Sequence, residues 1–209
     1  MARDVLLIDF GGVLTTSVFD AFGAFCEGHG LPPTRFVDLL TGEDPAAARL
    51  LVEVETGART TEAFERDLAP LLGPAVPAEG LIAGLTAALR PDEEVLAAVL
   101  ALRAAGVRTV LVSNAMGPVP YVGLDTDALF DAVVLSDELG VRKPSRRIYE
   151  HALALVDAAP QDAVFVDDLA ANCRAAERLG ILPVHHVDSR ETVATLEEAF
   201  GVPLGAAAA

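Results

Sequence analysis

The chain is short of cysteine, of basic residues and of long apolar runs, and each shortage excludes something. Its 2 cysteines, Cys26 and Cys173, lie far apart with no CxxC or Cys/His spacing. That pattern encodes neither a disulfide framework nor a zinc site, and two inert core thiols suit a reducing compartment. Lysine and arginine number 15 against 31 acidic residues, for a formal net charge of −16. A surface of that sign repels nucleic-acid backbones and anionic lipid, so neither is an expected partner. The N-terminal apolar run is broken by Asp9. It is too short for a signal-peptide layout and far short of a membrane span, and the expected location is the cytoplasm. No internal repeat is present, and Gly205 to Ala209 reads as a frayed tail.

What is present is a core. Across 209 residues, 52% are hydrophobic and 22% charged, with a mean hydropathy of +0.42. This composition excludes a disordered chain, and the length suits one core carrying an inserted subdomain. Short β-branched and aliphatic runs recur at Val5 to Phe10, Arg108 to Ser113, Ala132 to Leu135, Ala163 to Val166 and Leu182 to Val187. Being apolar on both faces, they read as buried parallel strands. Amphipathic stretches alternate with them. Asp92 to Ala105 places Val95, Leu96, Val99 and Leu102 on one face between Pro91 and Gly106, while Ser145 to Val156 and Asn172 to Leu179 behave alike. The fold class is therefore α/β, a doubly wound parallel sheet. Residues 15–90 differ, with helical periodicity in pieces, breaks at Gly30 to Pro33, Gly42 to Pro45 and Gly73 to Pro77, and no convincing strand. They are expected to form a small helical cap inserted after strand one, leaving 1–14 and 91–209 as the core.

Ligands bind outside the carboxyl ends of the strands in such a sheet. Asp9 ends the first expected strand, Ser113 the second, and Asp167 with Asp168 the fourth; Lys143 follows the third through the Ser136 to Arg142 loop. A carboxylate can attack phosphorus, a hydroxyl and an ammonium can hold phosphoryl oxygens, and further carboxylates suit Mg²⁺. Such a cation would also answer the question the acidic balance raises, namely how an anionic substrate reaches a cluster of carboxylates.

Four segments then resemble the motifs of the haloacid dehalogenase superfamily: Leu6 to Leu14, Leu111-Val112-Ser113-Asn114, Arg142-Lys143-Pro144 and Val164 to Asp168. The stretch from Leu135 through Tyr149, with Asn172 after the Asp pair, is most similar to the subgroup of bacterial glucose-1-phosphate phosphatases with a helical C1 cap. The resemblance implies a Mg²⁺-dependent phosphatase of a small phosphomonoester, such as a sugar phosphate, working through an aspartyl-phosphate on Asp9. It implies Ser113, Asn114 and Lys143 as substrate ligands, with Ser113 and Lys143 also catalytic. Asp9, the Gly11 carbonyl, Asp167 and Asp168 would hold the metal. Asn114 and Asn172 would also orient loops. One departure matters: the family's usual acid/base, two positions after the nucleophile, is here Gly11. Two alternatives follow from it. A 2-haloacid dehalogenase-like C–X hydrolase needs no proton donor, but the aromatic and early Arg that such relatives carry are replaced by Gly11 and Thr15-Thr16-Ser17. A catalytically weak phosphate-binding or regulatory protein would retain the pocket alone.

Other residues have plainer expectations. His185 and His186 fall on the last strand, one inward and one outward, and His29 in a cap turn. Arg142, Arg146 and Arg147 surround Lys143; Arg142 is placed to draw in an anion, the other two to start a solvated helix. Phe19, Phe22 and Phe25 repeat every third residue, as a cap core or a substrate-pocket lining.

Overall fold

A computed structural model describes residues 3–42, 45–117 and 124–204. In chain order the elements are β1 (Val5–Ile8), α1 (Val18–Gly28), α2 (Arg35–Thr41), α3 (Pro45–Glu55), α4 (Thr61–Leu72), α5 (Leu81–Thr86), α6 (Glu93–Ala104) and β2 (Arg108–Ser113). They continue as α7 (Thr126–Leu129), β3 (Ala132–Leu135), α8 (Ser136–Leu139), α9 (Arg146–Leu155), β4 (Ala163–Asp167), α10 (Ala170–Glu177), β5 (Leu182–His185) and α11 (Ser189–Phe200). The strands form one parallel sheet in the order β3-β2-β1-β4-β5. β1 is central, with Ile8 level with Leu111 on one side and Val166 on the other.

Alternation sends Leu6 and Ile8 into one apolar cluster, shared with Val95, Val99 and Leu102 of α6 and Leu196 of α11. Val5 and Leu7 enter another, with Ile148 and Tyr149 of α9 and Ala176 of α10. The sheet is thus covered on both faces, as a doubly wound fold requires. The helices begin where the sequence says they should, since the side chains of Asp92, Ser17, Thr60 and Asp188 accept from backbone N–H groups in the first turns of α6, α1, α4 and α11.

Three expectations need correction. β1 stops at Ile8 instead of Phe10, because the Asp9 amide still bonds the Val166 carbonyl at 2.9 Å but the Phe10 amide turns to Asp9 Oδ1. The edge strands β3 and β5 are not buried on both faces: Val133 and His185 are exposed. The Ser136 to Arg142 loop contains a turn of helix, α8, ended by Gly140 in the left-handed region at φ 73°. The expectation for Gly205 to Ala209 falls outside the described residues.

Between β1 and α6, helices α1 to α5 surround an apolar centre of their own, including Phe36, Phe64, Leu68, Leu72 and Leu85. Two neighbouring segments connect it to the sheet: Thr15 bridges to Pro91, Thr16 N bonds Arg90 O at 2.8 Å and Asp92 N bonds Leu14 O at 2.9 Å. Among the described residues no helix is long and apolar enough to cross a membrane.

Candidate active site

Parallel pairing of β1 with β4 brings Asp9 and Asp167 side by side at the carboxyl edge of the sheet, and both are buried. Between them lies Lys143, 1% exposed, its Nζ 2.7 Å from Asp9 Oδ1 and 2.7 Å from Asp167 Oδ2. Lys143 is the sole lysine of the chain. A compact ammonium fits between two carboxylates where the planar fork of an arginine would need more room.

The placement of Lys143 comes from its neighbours. Asn114, directly after β2, accepts from Lys143 N at 2.8 Å and donates to Lys143 O at 3.2 Å. Ser136 Oγ accepts from Ala115 N at 2.9 Å, tying the same two loops together, and the Lys143–Pro144 peptide is cis. Asn114 lines the cavity as expected of a substrate ligand, yet its amide is engaged with the Lys143 backbone. Asn172 donates to Asp167 Oδ1 at 2.9 Å and Oδ2 at 3.1 Å, and Leu169 N donates to Oδ1 at 2.8 Å. Asp167 is the most heavily engaged carboxylate; Asp168 is less buried.

Burial raises the Asp9 carboxyl above the usual carboxylate range; Lys143 opposes the rise, and Asp167 and Asp168 add to it. For Lys143, burial works to lower the pKa, but Asp9 and Asp167 outweigh it and hold the ammonium above its ordinary value. Burial pushes Asp168 up to about 6, with Asp167 contributing. Oxygens of Asp9, Asp167 and Asp168 lie within 4.8 Å of one another, a set that could hold a metal ion. All are hard carboxylate donors, which fits Mg²⁺ better than a soft metal.

Two glycines shape this edge. Gly12 sits at φ 76°, and a Cβ there would fall 2.6 Å from Asp168 Oδ2. A Cβ at Gly11 would fall 2.7 Å from Val18 Cγ1, so the first residue of α1 occupies the room a larger side chain would take.

Above the edge opens a cavity of about 390 Å³, lined by Asp9, Gly11, Ser113, Asn114, Lys143 and Asp168 at one end and by α1, α2 and α3 at the other. Phe19 and Phe22 line it, whereas Phe25 packs on the helical unit's own centre and against the His29 ring. His29, His185 and His186 are not among its lining residues. His186 Nδ1 lies 2.9 Å from Thr192 Oγ1 and His185 Nε2 lies 2.9 Å from the Asp168 carbonyl. Arg146 pairs with Glu150 at the surface.

One ionisable lining residue was not anticipated from sequence. Glu55, the last residue of α3, is buried, and Arg142 Nη1 stands 2.7 Å from its Oε2. The contact is off the hydrogen-bonding direction, so it is chiefly coulombic. Burial pushes the Glu55 carboxyl up to about 7 despite the opposing pull of Arg142 and Lys143. Its only sequence signal is an acidic residue closing an apolar helix, which solvated helix ends share.

A parallel sheet with carboxylates, a buried ammonium and a hydroxyl gathered at its carboxyl edge has the ligand-site arrangement of a doubly wound α/β protein. Residues 4–180 match the model of the haloacid dehalogenase-like hydrolases, and the chain belongs to that family. It is 32% identical over 120 residues to a sesquiterpene phosphatase of Aspergillus oryzae, a match covering 56% of this chain and 61% of that one. The chain therefore spans less than two thirds of that relative's length. A HAD-like hydrolase from Porphyromonas gingivalis superposes with TM-score 0.71 at 24% identity, covering 95% of this chain and 98% of that one. An enzyme from Bacteroides thetaiotaomicron in complex with magnesium and inorganic phosphate superposes with TM-score 0.64 at 23% identity, covering 88% and 94%. The family is one of hydrolases, and phosphatases are among the relatives the chain resembles.

Proposed function

We propose that the protein is a Mg²⁺-dependent phosphomonoesterase in which Asp9 attacks phosphorus. The observation that carries this reading is Lys143, a buried ammonium in contact with both Asp9 and Asp167. It opposes the rise that burial imposes on the Asp9 carboxyl and offsets the negative charge an incoming anion would meet. Asp9, Asp167, Asp168 and the Gly11 carbonyl would hold Mg²⁺, a donor set also in keeping with the Bacteroides relative's complex with magnesium and phosphate. When bound, the metal supplies positive charge to the phosphoryl oxygens. Ser113 and Lys143 hold those oxygens, Asn114 keeps Lys143 in place, and residues 15–90 act as the cap that shields the bond being broken from water.

As the bond from Asp9 Oδ to phosphorus forms, the bond to the leaving oxygen breaks and that oxygen needs a proton. Gly11 offers none. Among the described residues lining the cavity, Glu55 is the carboxyl outside the Asp9, Asp167 and Asp168 set, and burial raises it to about 7, so that both its acid and its carboxylate forms are populated near neutrality. We assign it the donor role; the resulting carboxylate then takes a proton from the water that attacks the phosphorus of the aspartyl-phosphate, as the Asp9 Oδ–phosphorus bond breaks to give phosphate and restore the Asp9 carboxylate. Carbon–halogen hydrolysis has less support, since the guanidinium at the cavity, Arg142, is held by Glu55 instead of facing a halide alone.

The test is phosphate release from a panel of phosphomonoesters with and without Mg²⁺, by the native chain and by Asp9→Asn. Release is expected to need both the metal and Asp9. Turnover surviving either removal would sink the proposal.

A further inference from the structure

The two ends of the cavity differ in chemistry. The sheet end is polar; the far end is almost wholly hydrocarbon. Phe19 and Phe22 of α1 stand edge to face at 6.5 Å, and Phe22 packs on Phe36 of α2 at 4.6 Å, a continuous run of rings. Leu40 of α2, Leu51 of α3 and Met116 of the loop after β2 extend this surface. Phe19 is 45% exposed on the cap side and Leu169 42% exposed on the sheet side, so the apolar lining reaches solvent from both.

The few polar groups in this wall are engaged elsewhere. Thr41 Oγ1 donates to Val37 O at 2.8 Å and Thr86 Oγ1 to Ile82 O at 2.9 Å, each within its own helix. The Asn114 amide is held by the Lys143 backbone, and Glu55 and Arg142 face each other. A sugar places a hydroxyl on nearly every carbon, and those hydroxyls would enter this wall with almost no partners. An apolar pocket discriminates against an added hydroxyl by on the order of 10²-fold, whereas hydrocarbon loses nothing there. A volume of about 390 Å³ accommodates more than a phosphoryl group and lies within the range of small-molecule sites.

We infer, resting on the phosphomonoesterase reading, that the substrate is the monophosphate of an apolar alcohol. Its phosphoryl group lies at Asp9, Ser113 and Lys143, and its hydrocarbon body lies against the Phe19–Phe22–Phe36 rings. The sugar phosphate suggested by the sequence resemblance does not suit that wall.

The experiment measures calorimetric binding of straight-chain alkylphosphonates, from ethyl to decyl, to the Mg²⁺-loaded protein, beside glucose 1-phosphate and glucose 6-phosphate. Phosphonates carry no cleavable P–O–C bond, so binding is read without turnover. Affinity is expected to rise with chain length by up to about 4-fold per buried methylene. The longer members should bind at least about 100-fold more tightly than either sugar phosphate. Phe19→Ser, at a half-exposed position, should flatten the chain-length dependence. Affinity independent of chain length, or tighter binding of the sugar phosphates, would overturn the inference. Turnover of the matching alkyl phosphates is scored separately: chain-length-dependent binding with no phosphate release upholds the apolar ligand and defeats the phosphatase reading instead.

Discussion

Glu55 and Gly11 have to be considered together at the scale of single residues. Two residues after Asp9, the proposed nucleophile, Gly11 carries no side chain, and Val18 Cγ1 fills the space, while the buried Glu55 carboxyl faces the same cavity from the end of α3. The Glu55 pKa is raised from 4.5 to about 7. The folded chain therefore keeps a proton on Glu55 between those values that the unfolded chain releases. Stability from this group is lost as pH rises through that window and is fully lost above about 7. Catalysis by the acid form falls over the upper part of the same window. With an alkyl phosphate, whose leaving oxygen needs a proton, Glu55→Gln is expected to lower kcat by on the order of 10²-fold or more. The decline of activity above pH 7 should disappear with it. With p-nitrophenyl phosphate, whose leaving group departs unprotonated, the loss should be small. Equal losses on the two substrates, read from steady-state pH profiles, would remove Glu55 from proton transfer.

The placement of Asp9, Ser113, Asp167 and Asp168 at one edge was legible in the sequence because each ends or follows an apolar strand and parallel pairing brings strand ends together, whereas Lys143 reaches that edge through the loop after β3. Glu55 was not legible, because its distance from Asp9 depends on how a separate group of helices folds back over the sheet. Asn114 was half legible: its place after Ser113 was clear, but its engagement with the Lys143 backbone depends on the approach of two loops.

Among elements, the helices α1 to α5 and the sheet have separate apolar centres, joined by the paired segments at Thr15, Thr16 and Arg90 to Asp92 and by the contacts of Glu55 with Arg142 and of Thr61 with Met116. The strand runs and the helices α6, α9 and α10 were readable from periodicity and from Pro and Gly punctuation. Edge exposure of β3 and β5 was not, since strand order is not written in a local run. The Phe19, Phe22, Phe25 repeat shows the same limit: spacing puts the three on neighbouring turns of one face, but only the packing of α2 decides that Phe22 meets Phe36 while Phe25 meets His29. Separate centres imply separable stability. Leu68→Ala, in the apolar cluster of α1 to α5, should cost about 2–5 kcal/mol. In native-state hydrogen exchange, the loss of protection should be confined to amides of α1 to α5. Equal loss in β1, β2 and β4 would show that the two units unfold as one.

Over the whole molecule, a net charge of −16 opposes an anionic substrate, and the site answers locally. Its one lysine is buried between Asp9 and Asp167, and Arg142 stands at the cavity wall. The sheet edge, the cap and the ammonium all converge on Asp9, so the account stands or falls on that carboxylate forming a bond to phosphorus. The direct measurement is a rapid-quench single turnover with Mg²⁺ and an apolar phosphomonoester, followed by acid trapping and mass spectrometry of the peptide containing Asp9. The account predicts a transient acid-stable, base-labile phosphoryl group on Asp9 that decays as free phosphate appears and is missing from Asp9→Asn. Phosphate released at full rate with no phosphorylated peptide at any time, or with the group on another residue, would contradict it.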